Sequence, residues 1–225
     1  MKTIAEQLQS VYQAIHSFCS SNATAQEVSL LAVSKKHPAD AIRQAYNAGQ
    51  RQFGENYAQE GAEKKAQLAD LSDIEWHFIG PVQSNKTQLI VDTFNWVQSV
   101  DRGKIARRLS KQRSPALAPL QICLQVNISG ETTKSGMAVS EVFALAEQVD
   151  ALPNLTLRGL MCIGSDNPAH QQQEFTRMQQ LFEELKQQYK TVDTLSMGMS
   201  GDWQQAINYG ATMIRLGTAI FGSRQ

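Results

Sequence analysis

LLAVSK at 30–35 and MIRLGT at 213–218 are short apolar runs that each finish in polar or cationic residues. Both are too short for a stable helix and read as strands whose last residues leave the core. Together with runs at 52–56, 75–80, 95–100, 120–127, 156–163 and 194–198, they give eight strand candidates, the outer two extending over 29–35 and 213–217. Helical stretches separate them, and parallel strands need crossovers of about a dozen residues, which those stretches supply. The alternation predicts an α/β chain. An open doubly wound sheet fits it too, but eight units without an obvious sheet reversal favour a single (β/α)8 TIM-type barrel over 1–225. In either architecture the chemistry belongs at the carboxyl ends of the strands.

Ile4, Leu8, Val11, Ile15 and Phe18 recur at helical spacing, so an additional helix precedes the first strand. Pro38 opens the next helix and Gly49 closes it; another polar, Ala-rich helix covers 57–69. Ser84, Ser140 and Asp202 are the expected caps of three later helices, and a basic helix covers 102–112. From Pro168, Phe175, Met178, Phe182, Leu185 and Tyr189 alternate spacings of three and four, a stripe facing the core.

With 225 residues, the chain is slightly short for a barrel of about 250, leaving little for a second domain. Lys+Arg and Asp+Glu both number 21, so no net field favours nucleic acid or an anionic membrane. No run approaches the roughly 18 apolar residues of a membrane span, and the amino terminus lacks a signal-peptide core. Cys19, Cys123 and Cys162 are odd in number and unpaired in spacing, which predicts free thiols and no metal site. The expected protein is soluble, cytoplasmic and monomeric.

Three constellations carry candidate chemistry. Lys35 ends the first strand beside a core; a carbonyl-binding amine explains such a placement, and so does an ordinary lysine at the barrel rim. Lys36 competes with it, because strand alternation sends the two side chains opposite ways. Ser196-Met197-Gly198-Met199-Ser200-Gly201-Asp202 and Arg215-Leu216-Gly217-Thr218 follow strands seven and eight, where barrels often bind phosphate. Two glycine-containing turns with a cap at Asp202 are the plainer account. Asn56, His77 and Ile79 lie at the ends of strands two and three, as ligand contacts or as a turn residue and core members. The 130–136 stretch lacks the spacing of a nucleotide-binding loop. Lys134 within it reads as a surface cation near the site mouth.

LLAVSK at 30–35, GQRQFGENYAQE at 49–60, EWHFIGPVQSNK at 75–86, NISGETTKSG at 127–136, LTLRGLM at 155–161, TLSMGMSGDWQQAI at 194–207 and IRLGTAIFG at 214–222 occur in fixed order. They resemble the YggS/PROSC family of pyridoxal 5′-phosphate (PLP) homeostasis proteins, over nearly the whole chain. The resemblance implies a PLP-binding barrel similar to the amino-terminal domain of alanine racemase. It places the cofactor as an internal aldimine on Lys35 rather than Lys36, and its phosphate on Ser200, Gly217 and Thr218. It brings Arg215 to the pyridine nitrogen and puts Asn56, His77, Ile79 and Met199 in the surrounding pocket. Lys36-His37 after the imine lysine is a bulky, basic departure.

An arginine at the pyridine nitrogen donates only, so it weakens the electron sink on which PLP enzymes depend. The expectation is therefore a carrier or regulator of the PLP pool, with apo PLP-dependent enzymes as recipients. The rivals are a small racemase or transaminating enzyme with a second base inside the barrel, and a sugar-phosphate-binding barrel without aldehyde chemistry.

Overall fold

The structure is a computed structural model that describes residues 2–24, 26–165 and 167–222. The ends of the expected 1–225 unit, Met1 and 223–225, lie outside the described residues. Helix α1 (Ile4–Ser21) comes first, closed by a capping box in which the Thr3 hydroxyl accepts from the Glu6 N–H and the Glu6 carboxylate accepts from the Thr3 N–H. Strand β1 (Ser29–Val33), α2 (Ala39–Asn47), β2 (Gln52–Glu55), α3 (Ala58–Gln67) and β3 (Glu75–Phe78) follow. Then come α4 (Thr87–Thr93), β4 (Trp96–Val100), α5 (Gly103–Gln112), β5 (Leu120–Gln125), α6 (Val142–Asp150) and β6 (Leu155–Met161). The chain continues through α7 (Pro168–Gln188), β7 (Thr194–Ser196), α8 (Trp203–Asn208), β8 (Met213–Leu216) and α9 (Thr218–Phe221).

All eight strands are parallel and pair in sequence order, and β8 returns to β1 to close the barrel. The predicted (β/α)8 barrel with an added N-terminal helix is the observed fold. The closing register sets Ser29 against Met213 and Leu31 against Arg215.

Alternate residues of each strand serve two different interiors. Leu30, Ala32, Phe53, Trp76, Phe78, Val97, Ile122, Leu124, Leu160, Leu195, Ile214 and Leu216 join the core that also takes in the helices. Trp96, Cys123 and Met161 form a separate apolar cluster. Burial pushes the thiols of Cys123 and Cys162 up to about 12, so both are inert at neutral pH.

Two expected caps differ from what the chain does. Ser84 lies in a 3-10 turn, Ser84–Lys86, and its carbonyl accepts from the Thr87 hydroxyl. Ser140 lies in a second such turn, Val139–Glu141, where the Glu141 carboxylate instead takes the Ala138 N–H. In both places a tight turn absorbs the first exposed N–H groups, so no serine side chain is needed there. Helix α9 was not expected from the pattern, being only four residues long. No described helix is long and apolar enough to cross a membrane.

Candidate functional site

After β1 the chain keeps one more ladder bond, from the Ser34 N–H to the Gly54 carbonyl at 3.0 Å, and then turns. Lys36 adopts a left-handed conformation with φ of 63°, and the His37 N–H closes the turn on the Ser34 carbonyl at 3.0 Å. This separates the two lysines that alternation alone left unresolved. Lys35 is half-buried and lines a cleft at the carboxyl end of the barrel, whereas Lys36 is exposed. His37 also lines the cleft, its ring stacked on Phe221 at 5.2 Å.

A buried cluster lies under this turn. The Lys64 ammonium donates to the Ser34 carbonyl and to Glu55 and Glu60 Oε1, each at 2.7 Å. The Ser34 hydroxyl donates to Glu55 Oε1 at 2.6 Å, and the Lys36 N–H donates to Glu60 Oε1 at 2.5 Å. Burial raises the Glu55 carboxyl pKa, with Lys64 and Ser34 working against that rise.

Across the barrel, the loops after β7 and β8 supply the facing wall. Gly198 has a φ of 96°, and a Cβ there would stand 2.7 Å from the Ala206 Cβ, so glycine is required where the chain turns over α8. Its carbonyl accepts from the Arg215 N–H at 3.0 Å, which ties the two loops together. Asp202 stands at the start of α8 as expected, but its carboxylate turns back to accept the Met199 N–H at 2.6 Å rather than capping the helix. Met199, Ser200, Gly217 and Thr218 all line the cleft.

Arg215 is buried beneath them. Its Nη1 donates to the Ser196 hydroxyl and its Nη2 to the Cys162 carbonyl, both at 2.8 Å. Ser196 passes its proton to Gln98 Oε1 at 2.6 Å, and Gln98 Nε2 donates to His77 Nδ1 at 2.9 Å. His77 is fully buried, stacked on Trp96 at 5.0 Å with Nε2 3.5 Å from Glu75. Burial lowers its pKa, so the ring is neutral and Nδ1 is an acceptor. His77 therefore sits at the far end of a polar chain leading to Arg215 and does not line the cleft.

Asn56, Ile79, Met161 and Ile163 complete the lining. Asn56 Oδ1 is buried without a hydrogen-bond partner in the protein. The Asn56 backbone lies against Gly80, where any Cβ would fall 2.0 Å from the Asn56 carbonyl oxygen. The cleft encloses about 720 Å³ including its open mouth. Of the nine residues singled out from sequence, Lys35, Asn56, Ile79, Met199, Ser200, Arg215, Gly217 and Thr218 meet here. Val33, Met161 and Ile163 were missed as lining residues, Val33 sharing strand parity with Lys35, which was the available signal; of the basic pair Lys36-His37 expected at the pocket edge, His37 lines the cleft. Among the described residues, no group of three or more His, Cys, Asp or Glu side chains is placed to hold a metal ion.

The family described as "Alanine racemase, N-terminal domain" matches residues 8–225. The pyridoxal phosphate homeostasis protein of Pseudomonas aeruginosa is 52% identical, over 100% of this chain and 97% of that protein. The chain belongs to the pyridoxal phosphate homeostasis proteins. The Vibrio cholerae member of this family is 54% identical over 88% of the chain and 86% of its own length. PipY of Synechococcus elongatus, solved with PLP bound, superposes with a TM-score of 0.83 at 39% identity, covering 98% of this chain and all of its own. The barrel of this chain is thus the fold of that PLP-bound structure.

Proposed function

We propose that this chain binds PLP in the cleft, with Lys35 holding the aldehyde carbon as a Schiff base, and that it carries or regulates the cofactor pool. The observation that carries the reading is the convergence of a half-buried lysine, a buried arginine and Ser200, Gly217 and Thr218 on one cleft. The residues fit the group. Two hydroxyls and a glycine offer a phosphate small, hydrogen-bonding neighbours, and Asn56 Oδ1 is a buried acceptor still lacking a donor. A relative solved with PLP bound supports PLP as the ligand.

When bound, PLP supplies an electrophilic aldehyde carbon and an electron-accepting ring. Arg215 remains protonated, held by Ser196 and the Cys162 carbonyl, and an arginine facing the ring nitrogen leaves that nitrogen without a proton. The side chain that would strengthen the ring as an acceptor is thus replaced by one that does not. This favours holding and delivering PLP over turnover, with apo PLP-dependent enzymes as recipients and a cytoplasmic monomer as the working form. Borohydride reduction of the PLP-loaded protein, followed by peptide mass analysis, should place the added mass on Lys35. Mass found on Lys36 alone overturns the assignment.

The second reading, a small racemase or transaminating enzyme, draws support from His37, an imidazole lining the cleft with Lys35. Rapid solvent-deuterium incorporation at the α-carbon of L- or D-amino acids, lost in His37→Phe, would establish that reading against the carrier.

A further inference from the structure

The buried cluster under the β1 turn acts on the two backbone groups that flank Lys35. Lys64 grips the Ser34 carbonyl on one side, and Glu60 grips the Lys36 N–H on the other. We propose that Glu60 and Lys64 are positioning residues for Lys35, clamping the chain on both sides of it so that its amine enters the cleft. This rests on the reading of Lys35 as the imine-forming amine.

Three features carry the inference. First, all three protons of the Lys64 ammonium have acceptors, and those acceptors are the Ser34 carbonyl and the two carboxylates that hold Ser34 and Lys36. Second, a buried ion pair is a poor device for stability alone, because well-packed apolar residues of similar volume commonly do as well or better. Glu55 and Lys64 are both buried, so holding the wall of the barrel does not explain them. Third, Lys36 is in a left-handed conformation that non-glycine residues adopt only when their surroundings impose it. The Glu60 carboxylate on its N–H is that imposition. The clamp links the β1–α2 turn to the end of β2 and the first two turns of α3, so the position of Lys35 is set by an element that does not itself line the cleft beside it.

Pyridoxamine 5′-phosphate separates placement of Lys35 from general integrity of the site, because it shares the ring and phosphate of PLP but has no aldehyde for the lysine. Both ligands are titrated into the unsubstituted protein, Glu60→Ala and Glu60→Gln, following visible absorption for PLP and fluorescence for both, with thermal melting alongside. Glu60 is partly exposed, its side chain at 23%, so alanine there is compatible with folding. Glu60→Ala should weaken PLP binding by about ten- to a hundredfold while pyridoxamine 5′-phosphate changes by less than about twofold. Glu60→Gln, whose amide oxygen still accepts from the Lys36 N–H, should restore most of the PLP affinity. Lys64→Met combined with Glu55→Gln removes the pair without leaving a lone buried charge and should show the same selective loss; Glu60→Ala carries the test should that double substitution unfold the barrel. Equal losses for both ligands, or unchanged PLP binding in Glu60→Ala, overturn the proposal alone. Absence of an imine band in the unsubstituted protein overturns the Lys35 reading and this proposal with it.

Discussion

Arg215 donates to the Ser196 hydroxyl at 2.8 Å, and this contact gives direction to the two hydrogen bonds that lead from Ser196 down to His77. Because Ser196 accepts from a guanidinium, its own proton goes to Gln98 Oε1. The Gln98 amide then presents N–H to His77, which must answer with a bare ring nitrogen. A cation at the cleft is thereby matched by a neutral imidazole three side chains below.

Removing the hydroxyl from this chain should be costly. Ser196→Ala takes one acceptor from a buried charged donor, and such bonds are worth about 1.5–3 kcal/mol. Urea unfolding should report a loss of that size. A loss below about 0.5 kcal/mol would show that water or another acceptor serves Arg215 equally well.

Ser200→Ala tests where the phosphate is held. Loss of one charge-assisted hydrogen bond should weaken PLP binding about tenfold or more while pyridoxal, without a phosphate, binds as before. Equal affinities for PLP in the two proteins would move the phosphate to other residues.

The bottom of the same polar chain makes stability depend on pH in a defined direction. His77 has a lowered pKa because burial disfavours its charge, so the unfolded chain takes up a proton there first, and stability falls as pH drops below 6.5. Burial opposes the charge on Glu75 as well, but bonds from His77, Trp96 and Gln52 prevail and hold it at about 2. Its contribution is present above the unfolded value of 4.5 and is lost as pH falls from 4.5 towards about 2. Denaturant titrations from pH 8 to 2 should show both declines, and Glu75→Gln should lack the lower one.

Gly80→Ala probes the wall that carries Asn56. An added methyl 2.0 Å from the Asn56 carbonyl oxygen forces backbone to move, and overpacking of this kind costs about 1–3 kcal/mol. Both the melting temperature and PLP affinity should fall. A fall in stability with PLP affinity intact would separate Asn56 from the binding surface.

The sequence pattern reveals the barrel because β strands buried on both faces leave continuous apolar runs, and the glycine-rich turns mark where those runs end. The loops after β7 and β8 were legible for that reason, and Lys35 because a lysine abutting a core is conspicuous. The resemblance, rather than spacing, chose Lys35 over Lys36; the left-handed turn at Lys36 is the structural cause. His77 misleads because its strand parity points inward, yet depth along the barrel axis, which parity does not encode, sets it below the cleft. The Lys64 cluster was invisible for a different reason: its partners Ser34 and Glu55 lie 30 and 9 residues away, and a lysine on a polar helix has no mark of burial. Ser84 and Ser140 look like caps locally, but short 3-10 turns had already met the need.

Barrel closure through β1 and β8 has a consequence for when the site comes into being. Lys35 follows the first strand made, and Thr218 follows the last, so the cleft straddles the seam of the sheet. A chain in which β8 has not yet docked on β1 brings neither Arg215 nor Gly217 to the cleft. The wall of the cleft is therefore complete only once the barrel is shut. A molecule spanning that seam would act as a fastener between β1 and β8, the two strands whose pairing shuts the barrel.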